Sequence, residues 1–366
     1  MRILYLTDRL SVRGGADQHL AQVASQAERA GHRVSIGFGR DGQPPPEIAD
    51  VEKLRIPGLG SRIDSESRLD GLSRALDRAD VIHVQNVMNP TVLEMATERG
   101  RVIVTVQDHR FFCPGPGKTM PDGSVCTQPM SDEVCSVCLT DPAYRRNMVD
   151  LTRRRLASLV GAHTVVLSRY MAGELAGLGM DGARVIPPWI ETGPSRSNAG
   201  STVMVGGRLV RHKAVLDGWR AWDRAGRPLP MIIAGAGPLE AGFHGALKLG
   251  WLPREALLTQ LQACRVLLFP ARWQEPFGML GIEALAQGTP VIVAARGGIS
   301  DWSGRGCINV EPGDVSRMAA AIQDLASDPG KAIALGRDGQ VFVRERFARE
   351  PIMRLLLDLY EEVAES

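Results

Sequence analysis

Residues 270–290 read PARWQEPFGMLGIEALAQGTP. The apolar run Val266 to Phe269 just before them has the length of a buried parallel strand, and the stretch itself leads through Glu275 and Pro276 into a helical pattern that ends near Gly288. Two carboxylates therefore sit at one strand's end, Glu275 in the turn and Glu283 within the helix. Between them Phe277, Gly278 and Met279 supply backbone N–H groups without an intrahelical acceptor, and such a helix start favours anions. A carboxylate accepts from neighbouring sugar hydroxyls, so the stretch predicts a ligand carrying an anion and hydroxyls, such as a nucleotide sugar. The competing reading is a plain helix with one solvated and one paired glutamate.

The same alternation of strand and helix extends in both directions. Upstream, apolar strands are expected at Arg2 to Thr7, Arg33 to Phe38, Val81 to Val84, Val102 to Val106, Thr164 to Leu167 and Arg184 to Ile186. Helical patterns separate them at Ala16 to Ala30, Ser67 to Arg78, Pro90 to Arg99 and Ala143 to Val160, while Gly39 to Pro57 reads as a surface excursion. Glu191 to Ser201 has the composition of a linker, and strands follow near Thr202 to Val205, Met231 to Ala234, Ala246 to Leu249, Val266 to Phe269 and Pro290 to Ala294. This pattern predicts an α/β protein of two facing Rossmann-like domains with parallel sheets, residues 1–190 and 201–348. A final amphipathic segment, 349–366, is expected to cross back to the first domain. Ligands of such sheets bind beyond the carboxyl ends of the strands, which would bring Gly14, Gly15, the loop after Val106, the turn after Val205 and Glu275 to one deep interdomain cleft. The first turn carries Gly14–Gly15 without the G-x-G-x-x-G spacing of a dinucleotide-binding dehydrogenase.

Composition narrows the function classes. At 366 residues the chain exceeds one ordinary core, and 43 Lys+Arg against 41 Asp+Glu give no basic excess that would mark a nucleic-acid partner. No apolar run reaches the roughly 18 residues of a membrane span, and Met1 to Leu6 reads as a strand start, so a cytoplasmic protein is expected.

Behind the strand ending at Val205 stands GGRLVRHK, residues 206–213. Arg208 can grip phosphate oxygens bidentately and Lys213 adds a point charge, so that with Gly207 the turn would neutralise a diphosphate without a metal. This run, IIAGAGP at 232–238, and LFPARWQEPFGMLGIEALAQGTPVIV at 268–293 together resemble the retaining glycosyltransferases of family four, the glycosyl transferases of group 1, which have the GT-B fold. The Glu-x7-Glu spacing of Glu275 and Glu283 is that family's signature. The resemblance implies that Arg208 and Lys213 hold the donor diphosphate, that Glu283 holds the ribose hydroxyls, and that Glu275 with the Phe277 and Gly278 amides holds the donor sugar. It implies further that Gly15 approaches the donor from the first domain. Two departures stand out: Ala214, where the family usually has Gly, reads as minor, and Gly297–Gly298–Ile299–Ser300 stands where Pro-Glu often follows.

The loop 107–142 begins QDHRFFCPGPG, similar to the His-Asp…Cys-Pro of related enzymes but with Gln107 in the place of His. Asp108 and His109 are candidates for positioning the acceptor hydroxyl or the transferring sugar, against a purely loop-tying role. Four cysteines follow as C-x12-C-x8-C-x2-C: Cys113, Cys126, Cys135 and Cys138. Structural zinc is the expected staple, with two disulfides or an iron–sulfur cluster as alternatives, and no cofactor is expected for catalysis itself. Cys264 and Cys307 read as core thiols. Arg145, Arg146, Arg153, Arg154 and Arg155 form either a solvated face or a surface for peripheral contact with an anionic membrane or lipid-diphosphate acceptor at the inner face of the membrane.

The sequence thus predicts a retaining, metal-independent transferase. It would move sugar from a nucleotide-diphosphate sugar, with UDP the leading candidate, to a glycan, lipid-linked or small-molecule acceptor in polysaccharide, glycolipid or glycoside synthesis. The rivals are a GT-B epimerase or phosphorylase and a non-catalytic zinc-stapled binding protein.

Overall fold

The structure is a computed structural model that describes residues 1–12, 14–62 and 69–365. The chain divides into two compact units, Met1–Pro188 with Glu350–Ser366, and Trp189–Arg349. The first contains strands β1 (Arg2–Arg9), β2 (Arg33–Arg40), β3 (Glu52–Arg55), β4 (Val81–Gln85), β5 (Val102–Val106), β6 (His163–Val166) and β7 (Arg184–Val185). Its helices are α1 (Gly15–Arg29), α2 (Leu72–Arg78), α3 (Pro90–Thr97), α4 (Asp132–Cys135), α5 (Pro142–Ser158) and α6 (Arg169–Ala176). The second unit contains β8 (Thr202–Gly206), α7 (Val215–Arg224), β9 (Met231–Ala234), β10 (Leu247–Gly250), α8 (Arg254–Ala263), β11 (Cys264–Phe269), α9 (Met279–Ala286), β12 (Val291–Ala294), β13 (Cys307–Val310), α10 (Val315–Ser327) and α11 (Pro329–Arg346). The last helix, α12 (Arg349–Glu365), returns to the first unit.

Every strand pairing is parallel, in the orders β3-β2-β1-β4-β5-β6-β7 and β10-β9-β8-β11-β12-β13. Strands of this kind are buried on both faces, and the central ones are mostly apolar for that reason, with a few buried polar residues such as His83 and Thr105 among them. In the first unit Leu4, Leu6, Ile82, Val84, Val102 and Val104 point one way, into a core with Leu72 and Leu76 of α2, Val92 and Leu93 of α3, and Met171 and Leu175 of α6. In the second, Val203, Val205, Ile233, Val266, Leu268 and Ile292 meet Val215 and Trp222 of α7 and Met318 and Ile322 of α10.

The opposite face of the first sheet carries a polar chain. Tyr360 of α12 shares a hydrogen bond with Tyr5 (2.7 Å) and with Nδ1 of His83 (2.8 Å), and Nε2 of His83 meets Thr105 (2.7 Å). All four are buried, so their hydroxyl and imidazole groups satisfy one another in place of water. Burial pushes His83 down to about 3, and His19 of α1 down to about 4. Both folded values lie below the ordinary 6.5, so the unfolded chain takes up protons that the folded chain refuses. Their stabilisation is complete above the unfolded value and is lost as pH falls through about 6.5 towards the folded values. The urea midpoint is therefore expected to drop between pH 7.5 and pH 5; a midpoint that rises on acidification would contradict these neutral histidines.

Three expectations are corrected. Gly39 to Pro57 contains β3, the edge strand beside β2, rather than being wholly a surface excursion, and Cys307–Val310 adds a strand to the second sheet. The segment 191–201 is not a free tether. Its Arg196 is almost fully buried, donates to Thr289 Oγ1 (2.6 Å) and to the Cys264 carbonyl, and Gln340 of α11 binds the Gly193 and Pro194 carbonyls (3.0 and 3.2 Å). The helix expected from Ser67 begins at Leu72; residues 67 and 68 lie outside the described residues.

Candidate functional site

In the second unit the predicted donor residues gather around two carboxylates. Glu275 lies in the loop between β11 and α9, almost fully buried, and pairs with Nζ of Lys213. Lys213 ends a 3-10 turn, Arg211–Lys213, and its ammonium also stands over the Trp273 ring, 4.9 Å from the centroid. The neighbouring His212 packs its ring against Trp273 and receives Arg272 N–H and Trp273 N–H on its carbonyl (3.2 and 3.3 Å). Burial, then the charges of Lys213 and Arg208, hold His212 at about 4 against the pull of Glu275. Arg208, five residues before Lys213 in the same turn, is exposed. Glu283, on α9, is buried and paired with Arg254, the first residue of α8.

The glycines serve this geometry. Gly278, at φ +88, starts α9 where a Cβ would press on Trp302 at 3.1 Å and Ile299 at 3.2 Å, so Phe277, Gly278 and Met279 turn into the helix with their N–H groups at its open end. The IIAGAGP run lies against the turn after β8: Gly207 N–H bonds the Ala234 carbonyl and Leu209 N–H the Ala236 carbonyl, both at 2.9 Å. A side chain at Gly237 would meet the Leu209 carbonyl at 2.6 Å. Gly297–Gly298, where the sequence departs from the family, pins the acid: Gly298 N–H donates to the Glu275 carbonyl (2.6 Å).

Ala214 is the other departure, and its conformation is costly. It sits at φ +49, in the left-handed region, where an L side chain costs about 1–2 kcal/mol and glycine is at home. Ala214→Gly is expected to stabilise the protein by about 1 kcal/mol in urea unfolding. A destabilised variant would show that the alanine methyl, which is buried, does more than tolerate the strain.

In the first unit, Gly14 precedes α1 in an extended conformation with no atom of the described residues beyond its chain neighbours within 4 Å of its missing Cβ, and Gly15 opens the helix. At the carboxyl end of β5, Gln107 is buried and its amide nitrogen faces two acceptors, His19 Nδ1 (3.2 Å) and Gln85 Oε1 (3.1 Å). A flipped amide would set its carbonyl against that of Gln85, so the carboxamide is fixed with Oε1 as its acceptor, a buried atom that finds no hydrogen-bond partner among the described residues. Asp108 accepts the Arg110 backbone and guanidinium (2.8–2.9 Å), and Arg110 reaches Asn86 (2.5 Å). Burial would raise the Asp108 carboxyl, and Arg110 more than reverses it, leaving it below the usual carboxylate range. His109 is buried with Nε2 on the Tyr170 hydroxyl (2.9 Å), an arrangement that ties the loop to α6.

Cys113, Cys126, Cys135 and Cys138 are free thiols, partly buried. Lys118 N–H donates to Cys113 Sγ (3.3 Å), and Cys126 N–H returns to the Lys118 carbonyl (2.8 Å). Burial, then mainly the neighbouring thiols, raise Cys135 and Cys138. Among the described residues no group of three or more His, Cys, Asp or Glu is arranged to hold a metal ion. The arginine run on α5 is mostly engaged: Arg145 binds Asp132, Arg154 binds Glu94, and the buried Arg155 donates to the Met88 and Arg62 carbonyls (2.8 and 3.0 Å). No helix among the described residues is long and apolar enough to cross a membrane.

Sequence reasoning missed Arg254 and Trp302. Nothing in the spacing ties Arg254 to Glu283, since the pair forms only when α8 and α9 pack together. Trp302 is fully buried, donates from Nε1 to the Phe277 carbonyl (2.6 Å) and meets Phe269 edge-on.

Two family profiles match the chain, "Glycosyl transferase 4-like domain" over residues 14–189 and "Glycosyl transferases group 1" over residues 200–328. A 2-deoxystreptamine glucosyltransferase of Streptomyces kanamyceticus is 28% identical over 176 residues, 43% of this chain and 44% of that protein. A glycogen synthase of Mycobacterium tuberculosis is 32% identical over 141 residues, 34% of each chain, so the matched part spans less than half the length of these curated relatives. Among solved structures, Anabaena HepE in complex with UDP and glucose superposes with a TM-score of 0.73 at 17% identity, covering 99% of this chain and 100% of that one. Sucrose-phosphate synthase from Thermosynechococcus elongatus gives 0.70 at 20%, covering all of both. The chain belongs to the glycosyl transferases of group 1 and has the GT-B fold.

Proposed function

We propose that this glycosyltransferase moves a sugar, with retention, from a nucleoside diphosphate sugar held by the second unit to a hydroxyl of an acceptor held by the first. The observation that carries the reading is the Lys213–Glu275 pair beside Arg208: two cations for a diphosphate next to a buried carboxylate for sugar hydroxyls. The donor is proposed to be a UDP-sugar, in keeping with the UDP complexes of the HepE neighbour. The bond from the anomeric carbon to the leaving phosphate oxygen breaks, and the acceptor oxygen bonds to that carbon on the same face. The acceptor's proton passes to the leaving phosphate. Arg208, Lys213 and the amides of Phe277 and Gly278 stabilise the charge that develops on the diphosphate, so these residues supply the electrostatic work without a protein nucleophile. Glu283, positioned by Arg254, receives ribose hydroxyls. Gln107 Oε1 and Asp108 are proposed to receive hydroxyls on the acceptor side, which fits a polyol or glycan.

Incubation with UDP-, GDP-, ADP- and TDP-sugars in a thermal-shift panel tests the donor. Selective binding raises apparent stability by about 2.7 kcal/mol at a hundredfold excess over the dissociation constant. The anomeric configuration of the product by NMR tests retention: an inverted product refutes the mechanism, and a product without a new acceptor bond shifts the reading to an epimerase or phosphorylase. Zinc in the loop 107–142 is proposed on the C-x12-C-x8-C-x2-C spacing alone. One equivalent of zinc in the purified protein supports it and none removes it.

A further inference from the structure

A cavity of about 490 Å³ opens at the amino ends of β1, β2 and β3, at the end of the first sheet away from Asp8, Gln107 and Asp108. Two regular patterns build it. Arg2 pairs with Arg33, Leu4 with Ser35, and Ser35 with Glu52 in parallel register, and alternate strand residues share a face, so these line one side of the sheet together with Leu54. Helix α2 supplies the opposing wall through Arg74, Ala75 and Arg78, whose i, i+4 and neighbouring spacing falls on one helical face.

The charge of this lining is unbalanced. Arg2 is held by Asp80 in a two-point ion pair (2.7 and 3.2 Å). Arg33, Arg74 and Arg78 are exposed and make no ion pair among the described residues, and Glu52 is the single carboxylate of the lining. Three uncompensated guanidiniums around one cavity repel each other and favour an anion, and the guanidinium fork fits phosphate oxygens. The floor is apolar, from Leu4, Leu54, Ala75 and Ala79, and the volume falls in the range of small-molecule sites. We propose that this cavity is a second ligand site that binds a small organic phosphate. Its phosphate sits on Arg33, Arg74 and Arg78, and its organic part covers the apolar floor. This site is independent of the donor and acceptor reading above.

The test uses the full chain carrying Arg208→Ala, Lys213→Ala and Glu275→Gln, which removes the proposed donor-phosphate cations without leaving Glu275 as an unpaired buried charge and so isolates the second site. Phenyl phosphate and inorganic phosphate are titrated calorimetrically into this protein, and again with Arg74→Ala/Arg78→Ala or with Glu52→Gln added. All three added substitutions lie at exposed positions, and alanine favours a helix, so the fold is expected to persist and is checked by an unchanged melting curve. Phenyl phosphate is expected to bind saturably and more tightly than inorganic phosphate, to lose about tenfold or more in affinity with Arg74→Ala/Arg78→Ala, and to gain with Glu52→Gln. Absence of saturable binding, a loss of less than about threefold in the double alanine variant, or weaker binding with Glu52→Gln overturns the proposal. Equal affinity for the two probes overturns the role of the floor.

Discussion

Lys213→Ala is expected to lower turnover by about 10²–10³-fold, the usual cost of removing one preorganised group from a developing anion. The structure adds a second consequence. Glu275 is 3% exposed and Lys213 is its cation, so the alanine variant also leaves a buried carboxylate without its partner, at a cost approaching about 3–5 kcal/mol. Loss of activity in Lys213→Ala alone is therefore ambiguous between chemistry and folding. The double variant Lys213→Ala/Glu275→Gln, compared with Glu275→Gln alone, separates them: with a neutral amide in place of the carboxylate, stability is expected to recover in urea unfolding while turnover falls below that of Glu275→Gln. Lys213→Arg should keep the fold and recover only part of the rate, because a planar fork does not replace a point charge above the Trp273 ring. A double variant with the turnover of Glu275→Gln alone would remove Lys213 from the transferase mechanism.

Trp302→Ala should lower stability by about 3–5 kcal/mol, since the indole is fully buried against Phe269, Gly278 and Gly281. The indole also fixes the loop before α9 through its bond to the Phe277 carbonyl. Trp302→Phe keeps most of the packing and removes only that bond, leaving a buried carbonyl unpaired at about 1–3 kcal/mol. If the loop geometry matters for the donor, Trp302→Phe will weaken UDP binding more than its urea midpoint suggests. Unchanged UDP affinity in a destabilised Trp302→Phe would confine the residue to packing.

The parts of this protein that are local in sequence were legible there. Val266 to Phe269, the turn at Glu275 and the helix after Gly278 follow from one stretch, because strand, helix start and carboxylate spacing are all short-range properties. Apolar runs also located most of the parallel strands. What escaped was set by packing between distant segments. Glu52–Arg55 carries a single apolar residue, Leu54, and became a strand because β2 offers it an open edge. Arg196 looked like part of a soluble tether and is buried because the carbonyls of residues 264 and 288 converge on it. The α5 arginines looked like one charged face, yet three of them are spent on Asp132, Glu94 and backbone carbonyls. The strain at Ala214 was likewise hidden: the residue type was visible, its backbone conformation was not.

The return of α12 to the first unit has a consequence for how the chain is made. Residues 189–349 are an insertion within that unit, and Tyr360, which completes the hydrogen bonds of Tyr5 and His83, is synthesised long after them. As the polypeptide leaves the ribosome, the second unit can finish folding while the first still holds an open face with a hydroxyl and an imidazole exposed to water. The first unit, although it is translated first, lacks the Tyr360 contacts until the last helix emerges.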